Sequence, residues 1–243
     1  MFDKSNTGDE ELRFLSRLAQ ANGRRTFLKW SGVTLAVTAI GCSADDKLQP
    51  SGRSPLAGGA EPVSLGTGDF LVLNFAYALE QLEAAFYSKV IESKYAGITN
   101  EETEILDDLR KHELIHRDFF KAVLGPNAIP ALEVDFTSVD FTSRQSVLET
   151  ARTFEDLGVS AYNGAGKYLE NLDYLLVAGK IVSVEARHAA AIRDLLAPKT
   201  AAYAGDDVVN EQGLDAVRTP AEVFALADPF ITTEIDGSTL PTT

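Results

Sequence analysis

Four stretches of the chain repeat apolar residues at the spacing of an α-helix, and each also carries acidic residues on its apolar stripe. In the first stretch the stripe includes Phe75, Leu79 and Phe86, and both Glu80 and Glu83 fall inside it. A helix in a globular protein buries such a stripe against the rest of the core. The pattern therefore predicts four helices with interior carboxylates, over about these residues: 69–95, 100–124, 143–163 and 171–197.

The connections between these helices are short, long and short. About four residues separate the first two helices and residues 164–170 join the last two, whereas residues 125–142 form a crossover of about 18 residues. Short links place consecutive helices side by side and antiparallel, and a long link lets the chain run the length of a bundle. We therefore predict an all-α fold, an antiparallel four-helix bundle with one long crossover between helices 2 and 3.

The crossover contains a tandem repeat in which the segment VDFTS occurs twice in succession. Its acidic residues, Asp135 and Asp140, raise the alternative of a calcium loop. Their spacing and the neighbouring phenylalanines favour a connection that covers the edge of the bundle.

Two Glu-x-x-His motifs, one at Glu113 and His116 and the other at Glu185 and His188, hold two of the chain's three histidines. A carboxylate and an imidazole three residues apart lie one turn apart on one face of a helix, so both can bind the same ion. The third histidine, His112, lies beside Glu113 but about 100° around the helix, and we interpret it as a surface residue.

The two halves of the predicted bundle resemble each other. Glu80 with Tyr87 in the first half corresponds to Glu155 with Tyr162 in the second, within the segments LEQL and FEDL. Each half is thus one helix with a glutamate followed by one helix with Glu-x-x-His. Packed antiparallel, the halves would be related by an approximate two-fold axis.

Interior carboxylates cannot remain ionised in an apolar core without cations, because each unpaired buried charge costs on the order of several kcal/mol. No Lys or Arg lies on the interior stripes of the four helices. Two divalent metal ions would balance four carboxylates and leave two neutral imidazoles as further ligands, as in known di-metal helical bundles. A donor set rich in oxygen, with one nitrogen per ion, favours iron or manganese.

The segments LNFAYALEQLEAAFY and HELIHRDFF carry a resemblance to a known superfamily. Residues 66–198 resemble the ferritin-like superfamily, and within it the bacterial ferritin-like-domain proteins related to plant desiccation-associated proteins. The resemblance implies six metal ligands in this chain: Glu80, Glu113, His116, Glu155, Glu185 and His188.

Three further residues face the predicted metal site. Glu83 lies one turn from Glu80 on the same face, so it either adds a seventh carboxylate or replaces Glu80 as the ligand. Tyr87 and Tyr162 either hydrogen-bond the ligand carboxylates and relay electrons, or are core aromatics with satisfied hydroxyls.

The N-terminal region has the pattern of an export signal. The pair Arg24 and Arg25 precedes a short apolar run, residues 33–40, and the run is too short to span a bilayer. The arginines resemble a twin-arginine signal, and Ala39-Ile40-Gly41-Cys42 resembles a bacterial lipobox. Cys42, the only cysteine, is therefore a candidate for lipidation, and the alternative is an ordinary signal cleaved elsewhere.

The composition changes along the chain and indicates four regions. We predict an export signal over residues 1–42, a flexible linker over 43–67, the ferritin-like bundle over 68–198 and a C-terminal extension over 199–243. The extension has one short candidate helix from Pro220 to Leu226, and we expect it to wrap the outside of the bundle.

The chain of 243 residues has a net charge of −14, and removal of the predicted signal makes it more negative. This charge argues against nucleic acid as a partner and leaves a lipid on Cys42 as the expected membrane attachment. The leading hypothesis is an exported periplasmic or envelope protein with a di-iron or di-manganese site. Its small-molecule substrate would be oxygen, peroxide or ferrous iron, as in ferroxidase-like or catalase-like chemistry.

The sequence is also compatible with two other functions. One is a non-enzymatic envelope protein that protects against desiccation or stress, with a structural or vestigial metal site. The other is an iron-storage cage, which the tether, the lipid and the C-terminal tail disfavour. Either function is compatible with oligomers.

Overall fold

A computed structural model describes residues 61–243, so the predicted export signal, Cys42 and most of the predicted linker lie outside the described residues. The predicted all-α fold is confirmed, because four long helices form the body of this region. Their ends differ from the predicted ends by at most three residues. The helices of the described region are α1 (Asp69–Glu92), α2 (Asn100–Leu124), α3 (Arg144–Ala165), α4 (Leu172–Leu196) and the short α5 (Pro220–Ala227).

Helix α2 begins at a capping box and ends at a glycine with a positive φ. The Thr99 side chain accepts a hydrogen bond from the Glu102 backbone N–H, and the Glu102 carboxylate accepts one from the Thr99 backbone N–H. This reciprocal capping box satisfies two donors that the first turn of a helix otherwise leaves unpaired. At the other end Gly125 adopts a φ of 54°, which a residue with a side chain rarely adopts.

The helices pack as two sequential pairs, α1 with α2 and α3 with α4, and the pairs contact each other through α1 with α3 and α2 with α4. Helix α1 is buried on almost every side because the crossover after α2 runs along its outer face. Its Gln81 amide donates to the Pro130 carbonyl and accepts from the Leu132 N–H. The crossover therefore closes the bundle over α1.

The tandem repeat in the crossover supplies aromatic side chains to this closure. The rings of Phe136 and Phe141 lie 5.8 and 6.0 Å from that of Phe86, measured between centroids. The carboxylates of Asp135 and Asp140 accept hydrogen bonds from the backbone N–H two residues later, as in an Asx turn. These contacts agree with the interpretation of the segment as a covering connection.

The C-terminal extension packs on the outside of the bundle. Strand β2 (Ile235–Asp236) pairs in parallel with strand β1 (Val63–Ser64), so the folded domain begins before residue 68 and includes the last residues of the predicted linker.

The segment before α5 approaches α3 closely. A Cβ at Gly164 would lie 1.7 Å from the Arg218 carbonyl oxygen, so only glycine fits there. No helix among residues 61–243 combines the length and apolarity that crossing a membrane requires.

Candidate metal centre

Each of the four long helices contributes to one buried polar cluster at the middle of the bundle. Its acidic members are at most 1% exposed, and its two histidines are at most 9% exposed. Their periodicity places them on the inner faces of amphipathic helices, which is why the fold buries them. The members are Glu80 of α1, Glu113 and His116 of α2, Glu155 of α3, and Glu185 and His188 of α4.

The cluster divides into two groups of four residues that share two carboxylates. In each group one donor atom per residue lies within 4.8 Å of every other. The two shared members are Glu113 and Glu185, one from each Glu-x-x-His motif. If each group held one ion, Glu113 and Glu185 would be within reach of both ions, and each of the other members, called terminal here, would be within reach of one.

The first group surrounds the Nδ1 atom of His116. This atom lies 3.3 Å from Glu80 Oε2, 3.5 Å from Glu113 Oε2 and 2.9 Å from Glu185 Oε1. None of these four atoms has a hydrogen-bond partner outside the cluster. They are close enough to one another to share a metal ion or a proton on the imidazole.

The second group repeats this arrangement around His188. Its Nδ1 lies 2.8 Å from Glu113 Oε1, 3.4 Å from Glu155 Oε2 and 3.7 Å from Glu185 Oε2. These four atoms also lack hydrogen-bond partners outside the cluster. The repetition matches the two-fold relation expected from the similar halves of the sequence.

Unpaired buried polar atoms are rare in native proteins, and each costs about 1–3 kcal/mol or more. Eight such atoms converge here, and each group offers three carboxylate oxygens and one imidazole nitrogen. The nearest buried cation of α4, Arg193, is paired with Asp156 and Asp207 and so does not neutralise the cluster. The residues therefore fit a pair of divalent ions, and oxygen-rich donors suit iron or manganese.

Two tyrosines hold the terminal carboxylates from the opposite half of the bundle. Tyr87 of α1 donates its hydroxyl to Glu155 Oε1 at 2.6 Å, and Tyr162 of α3 donates to Glu80 Oε1. Each tyrosine thereby leaves the second oxygen of its glutamate directed into the cluster. Burial and the neighbouring Glu155 carboxylate raise the pKa of Tyr87 well above its usual value, which keeps it a proton donor.

Glu83 is buried beside the cluster but belongs to neither donor group. It faces α3 at Gly158, where a Cβ would lie 3.2 Å from Glu83 Oε1. Burial, together with the facing carboxylates of Glu113 and Glu185, raises its pKa well above the usual range for a glutamate. Of the two residues that the sequence left open, the structure brings Glu80 among the donors and keeps Glu83 adjacent.

His112 was predicted to be a surface residue, and it is exposed, but it also contacts the cluster. Its Nδ1 lies 2.9 Å from His188 Nε2, on the side of that ring that faces away from the cluster. The two rings are nearly parallel, with an interplanar angle of 6°. The sequence carried a signal for this contact, because His112 lies four residues before His116 and so shares its helix face to within about 40°.

In the absence of metal, the electrostatics of the cluster favour protonated imidazoles. Burial lowers the pKa of His116, but the Glu113 and Glu185 carboxylates override this effect and raise it. Burial likewise lowers the pKa of His188, while Glu155 and Glu113 raise it to about 12. Burial raises the pKa of Glu185, but contacts with both histidines bring it down to about 2.

Comparison with known families gives one match. A family model described as a ferritin-like domain matches residues 68–198, which is more than half of the chain. The matched range begins one residue before α1 and ends two residues after α4. A search of curated proteins found no match.

Proposed function

Because the chain belongs to the ferritin-like domain family, we propose that its central cluster binds two iron or two manganese ions and uses them for redox chemistry with oxygen, peroxide or ferrous iron. One observation carries this proposal. Eight buried oxygen and nitrogen atoms from six residues converge in two groups and have no hydrogen-bond partner outside the cluster. Metal ions would satisfy all of them at once.

Charge balance supports two ions rather than one. The four donor carboxylates sum to four negative charges when ionised, and two divalent ions neutralise them with both imidazoles uncharged. A single ion would neutralise only two of these charges, and the other two would still need protons as counter-charges. When bound, such a pair supplies two adjacent redox-active Lewis acids.

The protein's own residues prepare the site in three ways. Glu113 and Glu185 span both ligand groups and fix their separation. Tyr87 and Tyr162 orient the terminal glutamates by hydrogen bonds. With an ion on its Nδ1, His188 would donate a hydrogen bond from its Nε2–H to His112 Nδ1, which would fix the tautomer and the ring orientation of His188.

The decisive experiment is the metal content of the protein isolated from cells grown with iron and manganese. We expect two ions per chain, and oxygen uptake or peroxide consumption by the loaded protein. Glu185→Gln removes one of the carboxylates shared by both groups and should abolish stoichiometric binding. Glu149→Gln, at an exposed position of α3, makes the same chemical change and should retain both ions.

A folded protein that contains no metal would refute the proposal. It would leave the non-enzymatic alternative, an envelope protein related to desiccation or stress protection. Circular dichroism of each variant distinguishes loss of ligands from loss of fold.

The proposal includes export to the periplasm or cell envelope, which the sequence of residues 1–42 supports. A twin-arginine route would carry the bundle already folded around its ions, and a lipid on Cys42 would anchor it. Cell fractionation of Cys42→Ser tests the anchor: this variant should be soluble in the periplasm, whereas unchanged membrane association would refute lipidation.

A further inference from the structure

A cavity of about 30 Å³, measured as the space open to the centre of a water-sized sphere, lies beside one half of the cluster. It is enclosed by α1, the end of α2, the end of α3 and the start of α4. Carbon atoms form almost all of its surface. The residues that matter here are Ala76, Leu79, Phe120, Ala161, Tyr162 and Val177.

The cavity reaches the Glu80 and His116 side of the cluster. Ala76 precedes Glu80 by one helical turn, and Phe120 follows His116 by one turn. Tyr162 contributes its ring to the cavity wall and donates its hydroxyl to Glu80. One side chain thus separates the apolar space from a terminal carboxylate.

The other half of the cluster has its corresponding side filled. There the ring of Phe86, next to Tyr87, packs edge-on against Phe154 at a centroid distance of 5.2 Å. Phe230 from the C-terminal extension packs against Phe154 at 4.9 Å. The cavity therefore adjoins the Glu80 half of the cluster. The two-fold symmetry of the ligands does not extend to the cavity.

Size and polarity select the occupant. A water molecule needs about 2–4 polar partners to be stable inside a protein, and a carbon-lined space of this kind stays dry. Hydrogen peroxide would lose its hydrogen bonds on entry for the same reason. A diatomic apolar molecule loses none and fits the available volume.

We propose that this cavity binds dioxygen and delivers it to the Glu80 half of the metal centre. The cavity as a gas site stands on its lining alone, and its use in delivery rests on the proposed function. Dioxygen is then favoured over hydrogen peroxide as the molecule that approaches the centre from this side. Phe119, Leu169 and Ala178 line the cavity and are partly exposed, so the cavity lies close to the protein surface at these residues.

Xenon is an apolar probe of similar size and needs no metal, so it tests the cavity directly. We expect one saturable xenon site per chain, seen by xenon NMR or in xenon-pressurised crystals. Ala76→Val fills the space and should remove the site. Ala151→Val is the matched control, because Ala151 precedes Glu155 by one turn, as Ala76 precedes Glu80, and does not line the cavity.

Kinetics of the metal-loaded protein test delivery. Ala76→Val should raise the KM for dioxygen by about fivefold or more and leave the KM for hydrogen peroxide unchanged, while Ala151→Val changes neither. Ala165→Val, a second filling variant, keeps the test valid if Ala76→Val does not fold. Unchanged dioxygen kinetics in a variant that has lost xenon would overturn delivery.

Absence of xenon from the metal-loaded wild-type protein would overturn the cavity proposal alone. Xenon binding by a protein that takes up no metal would instead overturn the proposed function and, with it, the delivery role. The two failures are therefore distinguishable.

Discussion

Metal binding to this centre should release protons, because the metal-free cluster uses protons as its counter-charges. The surrounding carboxylates raise the pKa of His116 and bring that of His188 to about 12, so both imidazoles are protonated at pH 7. The Nδ1 atom of each faces the donor groups and must lose its proton to bind an ion. Two ions should therefore displace at least two protons at pH 7.

The size of the effect follows from this proton count. For two protons released, the affinity for the ion pair rises about 100-fold per pH unit, or about 2.7 kcal/mol per unit. The sign is fixed because protons and metal compete for the same nitrogen atoms, so affinity falls as pH falls. The dependence continues through neutral pH, since the folded-state pKa values lie far above 7.

Calorimetric titration of metal-free protein with Mn²⁺ measures this quantity. The apparent enthalpy, plotted against the ionisation enthalpy of several buffers at one pH, has a slope equal to the number of protons released. Competition with a fluorescent chelator at pH 6, 7 and 8 gives the affinities independently. His188→Gln should release about one proton fewer, whereas Glu149→Gln should release as many as the wild type. A slope of zero together with a pH-independent affinity would refute the argument, because the imidazoles would then be neutral before metal arrives.

Three substitutions test separate parts of the structure. Glu83→Gln should retain two ions per chain and Glu80→Gln should lose one, because only Glu80 belongs to a donor group; equal losses by elemental analysis would contradict this assignment. His112→Phe should weaken metal affinity by about 10–100-fold in chelator competition. His112→Gln should keep most of the affinity, because the amide oxygen can still accept a hydrogen bond from His188. Equal affinities in the two variants would refute the role of His112. Gly164→Ala should lower the free energy of unfolding by about 3 kcal/mol and expose the C-terminal extension to proteolysis, because the new Cβ would collide with the Arg218 carbonyl oxygen. A variant as stable in urea as the wild type would contradict this prediction.

The helices and their order could be predicted because helical periodicity is a local property. The apolar stripes gave all four long helices, and the lengths of the links gave the long crossover. The six members of the donor groups were also accessible, since Glu-x-x-His spacing and the internal repeat each depend only on positions along the chain.

The arrangement within the cluster could not be predicted in the same way. Glu80 and Glu83 lie one turn apart on one face, so their positions along the chain do not decide which of them enters a donor group. The packing of the helices against one another decides it. The pairing of β1 with β2 joins residues about 170 positions apart and left no local signal in two-residue strands.

The surroundings of the ligand set depart from two-fold symmetry in two respects. Gly158 occupies the position in the second half that Glu83 occupies in the first, and its missing side chain makes room for the Glu83 carboxylate. A second glutamate at 158 would put another acid into the same space, where burial and like charges already raise the pKa of Glu83. The chain therefore carries one additional buried acid, with a raised pKa, beside a symmetric ligand set. Since the apolar cavity also adjoins only the Glu80 half, two chemically equal ligand groups lie in unequal surroundings, and the ions they bind are expected to differ in reactivity.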